Sequence, residues 1–120
     1  MNLKKYAIDY YNKGYNCSLC ILKAGEKKYN IDITNDIEKG IEAINGGFGF
    51  GGMCGVLVSA IILIGIIVKE EDLKMIRLKF IDEIFNKYNS FNCNKISNIS
   101  KNNCVDLIEY VCDLIEYFIE

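Results

Sequence analysis

One continuous apolar stretch decides the fold: MCGVLVSAIILIGIIV, which runs from Met53 to Val68 without a charged residue. A helix that crosses a bilayer needs about 20 such residues, so this stretch is short. It can be lengthened without charge only backwards, through a glycine-rich loop whose polar backbone groups lipid would leave without partners. We therefore expect a helix buried in the middle of a bundle and no membrane span.

Helical patterns flank this stretch on both sides. The predicted helices are Leu3–Lys13, Cys17–Lys28, a helix opening near Asn35, Asp72–Tyr88 and Cys104–Ile119. Their apolar residues recur at helical spacing, and clear strand alternation is missing apart from short pieces near Ile31 to Ile33. The sequence predicts a compact all-α bundle, a single domain over residues 1–120, around the central apolar helix.

The expected helix boundaries depend on a few polar residues and glycines. Asn16 is placed to cap the second helix, and Gly14 suits the positive φ that ends the first. Asn35 and Glu38 have the spacing of a capping box, with Asn in place of Ser or Thr. The segment from Asn92 to Lys101 is polar, and we expect it to be irregular.

The composition points to sulfur chemistry. The chain has 120 residues, six cysteines and no histidine, tryptophan or proline. Without histidine, it lacks the commonest general base and the usual partner of a nucleophilic cysteine. If the protein carries out chemistry, we expect it at the cysteines, as thiol–disulfide redox or all-sulfur metal ligation.

Charge and cysteine content also limit the partners and the compartment. The net charge is −2, so we expect no nucleic-acid partner. Residues Met1 to Tyr11 show no apolar segment of a secretory signal, which favours the reducing cytoplasm. Cysteines there serve metal or redox chemistry more often than structural disulfides. The electron donor or acceptor stays unidentified, and a homodimer stays open.

Three cysteines share a local pattern, because each follows an asparagine. The pairs are Asn16-Cys17, Asn92-Cys93 and Asn103-Cys104. Asparagine is a favoured N-cap, and a cysteine in the first turn of a helix is stabilised as the thiolate. Cys54, just after the glycine loop, also lies near a helix start. Since asparagine is abundant here, the pairs can also arise by chance.

The remaining cysteines give weaker signals. Cys17 and Cys20 form a CxxC pair, which occurs in redox dithiols and as half of a zinc or iron–sulfur site. No second CxxC is present, which argues against a zinc ribbon. Cys112 occupies an apolar position of the last helix, where a small buried hydrophobe is the ordinary role.

The glycine-rich loop from Gly46 to Gly52 contains a GxGxxG pattern. It follows a predicted helix, whereas a dinucleotide fingerprint follows a strand, so we expect no dinucleotide site. Close approach of its backbone N–H groups to a sulfur near Cys54 is the better physical role. Gly55 and Ser59, four residues apart, form a small face that lets a helix or a cofactor approach closely.

Together these residues resemble the redox-active family named after its C-GCAxxG-C-C cysteine pattern. The quoted segments are Gly14-Tyr15-Asn16-Cys17-Ser18, Cys54-Gly55-Val56-Leu57-Val58-Ser59, and the single residues Cys93 and Cys104. Val56 and Ser59 depart from the family's Ala and Gly. The resemblance implies a helical fold, a redox or metal-binding role, and similarity to the non-haem part of split-Soret cytochromes.

The resemblance leads to a prediction of one site formed by Cys17, Cys54, Cys93 and Cys104, with Cys20 as an optional metal ligand. The four thiols either ligate an iron–sulfur cluster or zinc, or cycle between dithiol and disulfide without a cofactor. Gly52 and Gly55 are the candidates for contact with a bound group. The alternative is a non-catalytic, membrane-associated or scaffold protein that uses the apolar helix as an interface.

Overall fold

The computed structural model describes residues 2–99 and 104–120, and within them the chain is helical. The helices are α1 (Leu3–Asn12), α2 (Cys17–Tyr29), α3 (Asn35–Gly46), α4 (Gly55–Ile67), α5 (Glu70–Tyr88), α6 (Cys93–Ile99) and α7 (Val105–Ile119). A wide turn, Gly47–Gly51, follows α3 and is called the glycine turn below. The described residues form no strand beyond an isolated bridge. The predicted all-α fold is confirmed.

The caps explain where the first helices begin, and one expectation is wrong. Asn16 caps α2 as predicted, because its Oδ1 accepts a hydrogen bond from Leu19 N at 2.9 Å. Gly14 adopts the positive φ expected of it, +98°. The cap of α3 is Thr34, not Asn35, since Thr34 Oγ1 accepts from Ile37 N at 3.3 Å. A hydroxyl one residue earlier reaches that N–H, so Asn35 becomes the first helical residue.

Two further expectations were wrong. The polar segment after Asn92 contains the helix α6, whose Ile96 is 2% exposed and anchors a short helix that propensity alone does not predict. Residues 31–34 belong to no helix or strand. The antiparallel bridge instead joins Met53 to Asn92. Lys101, the expected end of the irregular segment, and Asn103, the expected cap before Cys104, lie outside the described residues.

Helix α4 packs against α2, α3, α5 and α7, which gives the apolar stretch its predicted central place. Val56, Ala60, Leu63 and Ile64 on this helix are fully buried. Its other face is open: with α5 and Phe91 it lines an apolar groove of about 540 Å³. Among the described residues, no helix combines the length and hydropathy required to cross a membrane.

A close contact between helices lies where α4 begins. A Cβ added to Gly55 would collide with Ser18 Oγ of α2 and lie 2.9 Å from the carbonyl oxygen of Ile44 in α3. Further along α4, Leu63 fills the space that a side chain at Gly25 of α2 would need. The small face predicted at Gly55 is therefore covered by two helices, α2 and α3.

We predict that Gly55→Ala lowers the free energy of unfolding by about 1–3 kcal/mol, because its methyl group overpacks this contact. Gly65→Ala, in the same helix, is the matched control, since nothing lies within 4 Å of an added Cβ there. The control should gain about 0.4–1 kcal/mol from the lower entropy of its unfolded chain. Urea denaturation followed by circular dichroism measures both changes, and equal stability of the two variants would contradict the packing described.

Candidate functional site

The first residues of α2 and of α7 bring two cysteines together. Cys17 is the first residue of α2, and Cys104 is the cap residue that precedes α7. Their side chains lie close enough together for each to shift the pKa of the other, although 87 positions separate them in the chain. Both are partly buried, and neither is disulfide-bonded. The two thiols form a neighbouring pair.

An asparagine side chain is also hydrogen-bonded to Cys17. Asn45 Oδ1 accepts hydrogen bonds from Cys17 Sγ at 3.4 Å and from Ser18 Oγ at 2.9 Å. Asn45 departs from helical geometry, with φ −63° and ψ 147°, although it lies near the end of α3. The Asn45 side chain thus links the end of α3 to the start of α2.

The bridge between Met53 and Asn92 positions two more cysteines. Cys54 N donates to Phe91 O at 2.8 Å, and Cys93 N donates to Gly52 O at 2.7 Å. Cys54, which caps α4, is 4% exposed, whereas Cys93, at the start of α6, is partly exposed. Both cysteines are thus fixed through their backbones at the junction of the glycine turn, α4 and α6.

The glycine turn is shaped for this junction. Gly46, Gly47, Phe48 and Gly49 all have positive φ, which a non-glycine residue such as Phe48 rarely adopts. A Cβ at Gly47 would lie 2.5 Å from both the nitrogen and the oxygen of Gly52 and 2.8 Å from Cys93 Cβ. Gly52 N donates to Gly47 O, so this N–H does not bind a thiolate. The turn acts by close packing against Cys93.

The proximity of Cys17 and Cys104 moves their pKa values in opposite directions. The hydrogen bond from Cys17 stabilises the Cys104 thiolate and lowers the pKa of Cys104 to about 7. The same contact raises the pKa of Cys17, and burial and the nearby thiols raise it further. The pair therefore loses one proton near neutral pH and keeps the other.

The other pKa shifts correct the expectation that a helix start favours every thiolate. Burial raises the pKa of Cys54, although the backbone N–H groups of Leu57 and Val56 oppose the rise. Burial also raises the pKa of Cys20 to about 12 and that of Cys112. At Cys17 and Cys54, desolvation and neighbouring sulfur outweigh the helix terminus. Cys112 lies in the core as predicted, fully buried.

Charge effects connect the four sequence-predicted cysteines in pairs. A charge on Cys54 raises the pKa of Cys17, and charges on Cys93 and Cys104 raise the pKa of Cys54. Among residues 2–99 and 104–120, no three cysteine or carboxylate side chains lie close enough together to hold a metal ion. Gly52 and Gly55 contact protein atoms, the former by backbone hydrogen bonds and the latter by packing.

Three residues at this site were missed in the sequence analysis. Asn45 and Ser18 form the polar contact with Cys17, and Tyr11 lies close enough to Cys17 and Cys104 for their charges to raise its pKa, after the larger effect of burial. The adjacency of Asn45 to two glycines and that of Ser18 to Cys17 were available signals. For Tyr11, the sequence carries no signal.

We predict that Cys104 is alkylated first in the reduced protein. With a pKa of about 7, about half of Cys104 is thiolate at pH 7, against about 3% for a free cysteine with a pKa of about 8.5. Labelling of Cys104 should rise with pH through a midpoint near 7, while Cys20 and Cys112 stay largely unlabelled. Short iodoacetamide pulses with mass-spectrometric peptide mapping measure this order.

The variant Cys17→Ala tests the cause of this order. It removes the hydrogen-bond donor, so the midpoint for Cys104 should move up toward the ordinary value of about 8.5. Cys93→Ser is the matched control and should leave the midpoint in place, because Cys93 does not contribute to the lowered pKa of Cys104. An unchanged midpoint in Cys17→Ala would show that the contact does not activate Cys104.

Comparison with known proteins identifies a family for this chain. The sequence model of one family, described as "Putative redox-active protein (C_GCAxxG_C_C)", matches residues 15–118. Searches of curated proteins and of solved structures gave no significant match. The matched region covers most of the chain and includes Cys17, Cys54, Cys93 and Cys104. The chain therefore belongs to the redox-active C_GCAxxG_C_C family.

Proposed function

We propose that the protein exchanges electrons as a dithiol, with Cys17 and Cys104 as the working pair. The observation that carries the proposal is the proximity of these two thiols, which moves their pKa values in opposite directions. A thiolate present at neutral pH next to a protonated thiol is the arrangement that thiol–disulfide exchange requires. Membership in a redox-active family favours this role over that of a scaffold.

The exchange needs a disulfide as oxidant, carried by an electron-acceptor protein or a small molecule. The Cys104 thiolate attacks one sulfur of that disulfide, forms a mixed disulfide and releases the other sulfur as a thiolate. Cys17 then loses its proton to solvent and attacks the Cys104 sulfur, which releases the second thiolate. Two electrons leave the dithiol, and the acceptor becomes two thiols once protons are taken up.

Cys54 and Cys93 belong to the same proposed site but have different access. Cys54 is nearly inaccessible, whereas Cys93 is partly exposed. Of these two cysteines, reagents in solution therefore reach Cys93 more readily. Cys54 lies within charge range of both Cys93 and Cys104. We assign Cys54 and Cys93 a supporting role, as thiols that can exchange with the working pair. A reducing, cytoplasmic setting would keep all of these thiols available.

Metal ligation is the competing chemistry. An iron–sulfur cluster or a tetrahedral zinc site takes four protein ligands, and the described side chains do not assemble even three. We therefore propose the dithiol reaction and derive no step through a metal group. The proximity of the two thiols supports this reaction.

We predict that the reduced protein, purified without oxygen, forms a Cys17–Cys104 disulfide in a glutathione redox buffer. Peptide mapping should find this disulfide, whose formation removes two electrons per chain. Excess reduced glutathione should reverse it fully. In Cys17→Ala the mixed disulfide of Cys104 with glutathione should accumulate, because the resolving thiol is missing. Cys112→Ala, which removes a buried cysteine outside the pair, should retain the reversible reaction.

Two results would contradict the proposal. One is a stable mixed disulfide on Cys104 in the unaltered protein, since Cys17 should resolve it. The other is stoichiometric zinc, or iron with sulfide, in the anaerobically purified protein, lost when Cys17 or Cys104 is replaced. The second result would assign the cysteines to metal ligation.

A further inference from the structure

Asn45 differs from the other residues around the thiol pair because its side chain contacts α2 at two consecutive residues. Its Oδ1 accepts from Cys17 Sγ at 3.4 Å and from Ser18 Oγ at 2.9 Å. Ser18 is fully buried, and its hydroxyl also occupies the space next to Gly55. The amide oxygen is therefore held in place by a packed serine as well as by the cysteine.

The backbone around Asn45 places this side chain. Asn45 has an extended conformation within α3, and Gly46 and Gly47 continue with positive φ. This break turns the chain from α3 into the glycine turn at the position where α3 passes the start of α2. The φ of Asn45, −63°, is helical, so the side chain leaves α3 as on an ordinary helical residue, and the ψ of 147° redirects only the chain that follows. The end of α3 thus presents Asn45 to Cys17, and the kink directs the next residues into the glycine turn.

An amide oxygen accepts hydrogen bonds and cannot donate them. Two acceptors therefore lie next to Cys17: Asn45 Oδ1 and the Cys104 sulfur. Whether it bonds to Asn45 Oδ1 or to the Cys104 sulfur, Cys17 is the donor and retains its proton. With the amide in this orientation, a thiolate on Cys17 would face the lone pairs of Asn45 Oδ1, which disfavours it.

We propose that Asn45 is a positioning residue that keeps the proton on Cys17, so that Cys104 reacts first and Cys17 second. This inference rests on the proposed function, because it assigns the order of the two thiols in that exchange. Asn45 does not touch the incoming disulfide; it acts through Cys17. Ser18 supports it by fixing the amide oxygen, and the glycine that follows Cys54 leaves room for the Ser18 hydroxyl.

The test compares the labelling of Cys17 and Cys104 in the reduced, full-length protein at neutral pH, with limiting iodoacetamide as the probe. Asn45→Ala removes the acceptor and frees the Ser18 hydroxyl to donate to Cys17. Labelling of Cys17 relative to Cys104 should rise by about tenfold, the effect of one hydrogen bond. Asn45→Asp keeps an acceptor oxygen in the same place and should preserve the original order.

A merely structural role would not separate these two variants, so rescue by aspartate is the diagnostic result. Asn35→Asp introduces the same charge at an exposed position of the same helix and should leave the order unchanged. If folded Asn45→Ala is still labelled at Cys104 before Cys17, as in the unaltered protein, the proposal is overturned. If Asn45→Ala does not fold, the aspartate variant decides alone: a retained order supports the proposal, and a reversed order overturns it.

The outcome is independent of whether the pair forms a disulfide, because the protein stays reduced throughout. An order that depends on Asn45 without a Cys17–Cys104 disulfide in the glutathione buffer would contradict the proposed function and leave the positioning role standing. Conversely, the disulfide could form reversibly while Cys17 and Cys104 are labelled in the same order in Asn45→Ala and in the unaltered protein. That result would support the proposed function and contradict the positioning role of Asn45. The two proposals therefore fail separately.

Discussion

Gly55 allows three helices to meet at one point, and the arrangement of the thiols depends on that meeting. The Ser18 hydroxyl of α2 and the Ile44 carbonyl of α3 occupy the space that a side chain at Gly55 would need. This close approach lets Asn45, at the end of α3, reach Cys17 at the start of α2. Packing that looks purely structural thus sets the positions of the groups that surround a reactive sulfur.

Contact and burial determine thiol reactivity in this fold more than helix termini do. Cys17 and Cys54 lie at helix starts, yet their pKa values are raised by burial and, at Cys17, first by the hydrogen bond with Cys104. Cys104 has a lowered pKa because a neighbouring thiol donates to it. A dipole at a helix end acts over one turn, whereas loss of water affects the whole buried sulfur. The division into one reactive and several protected thiols follows from these neighbours.

Local patterns in the sequence predicted most of the fold, because apolar periodicity and the cap at Asn16 depend on neighbouring residues alone. The helix α6 was missed since its polar sequence gains stability only when Ile96 enters the core. The cysteine pattern identified the candidate thiols but not which two touch: Cys17 and Cys104 meet only through the packing of α2 and α7. Asn45 was missed for the same reason, since its partners lie 27 and 28 positions earlier in the chain.

The central claim is that Cys17 and Cys104 form a thiol pair with no metal between them, and the most direct measurement locates the sulfur atoms themselves. A crystal structure of anaerobically purified protein, with sulfur and any metal located by anomalous scattering, provides this. Our account predicts the sulfur atoms of Cys17 and Cys104 in mutual contact, with Asn45 Oδ1 next to Cys17. A metal peak bound by Cys17, Cys54, Cys93 and Cys104 would contradict it.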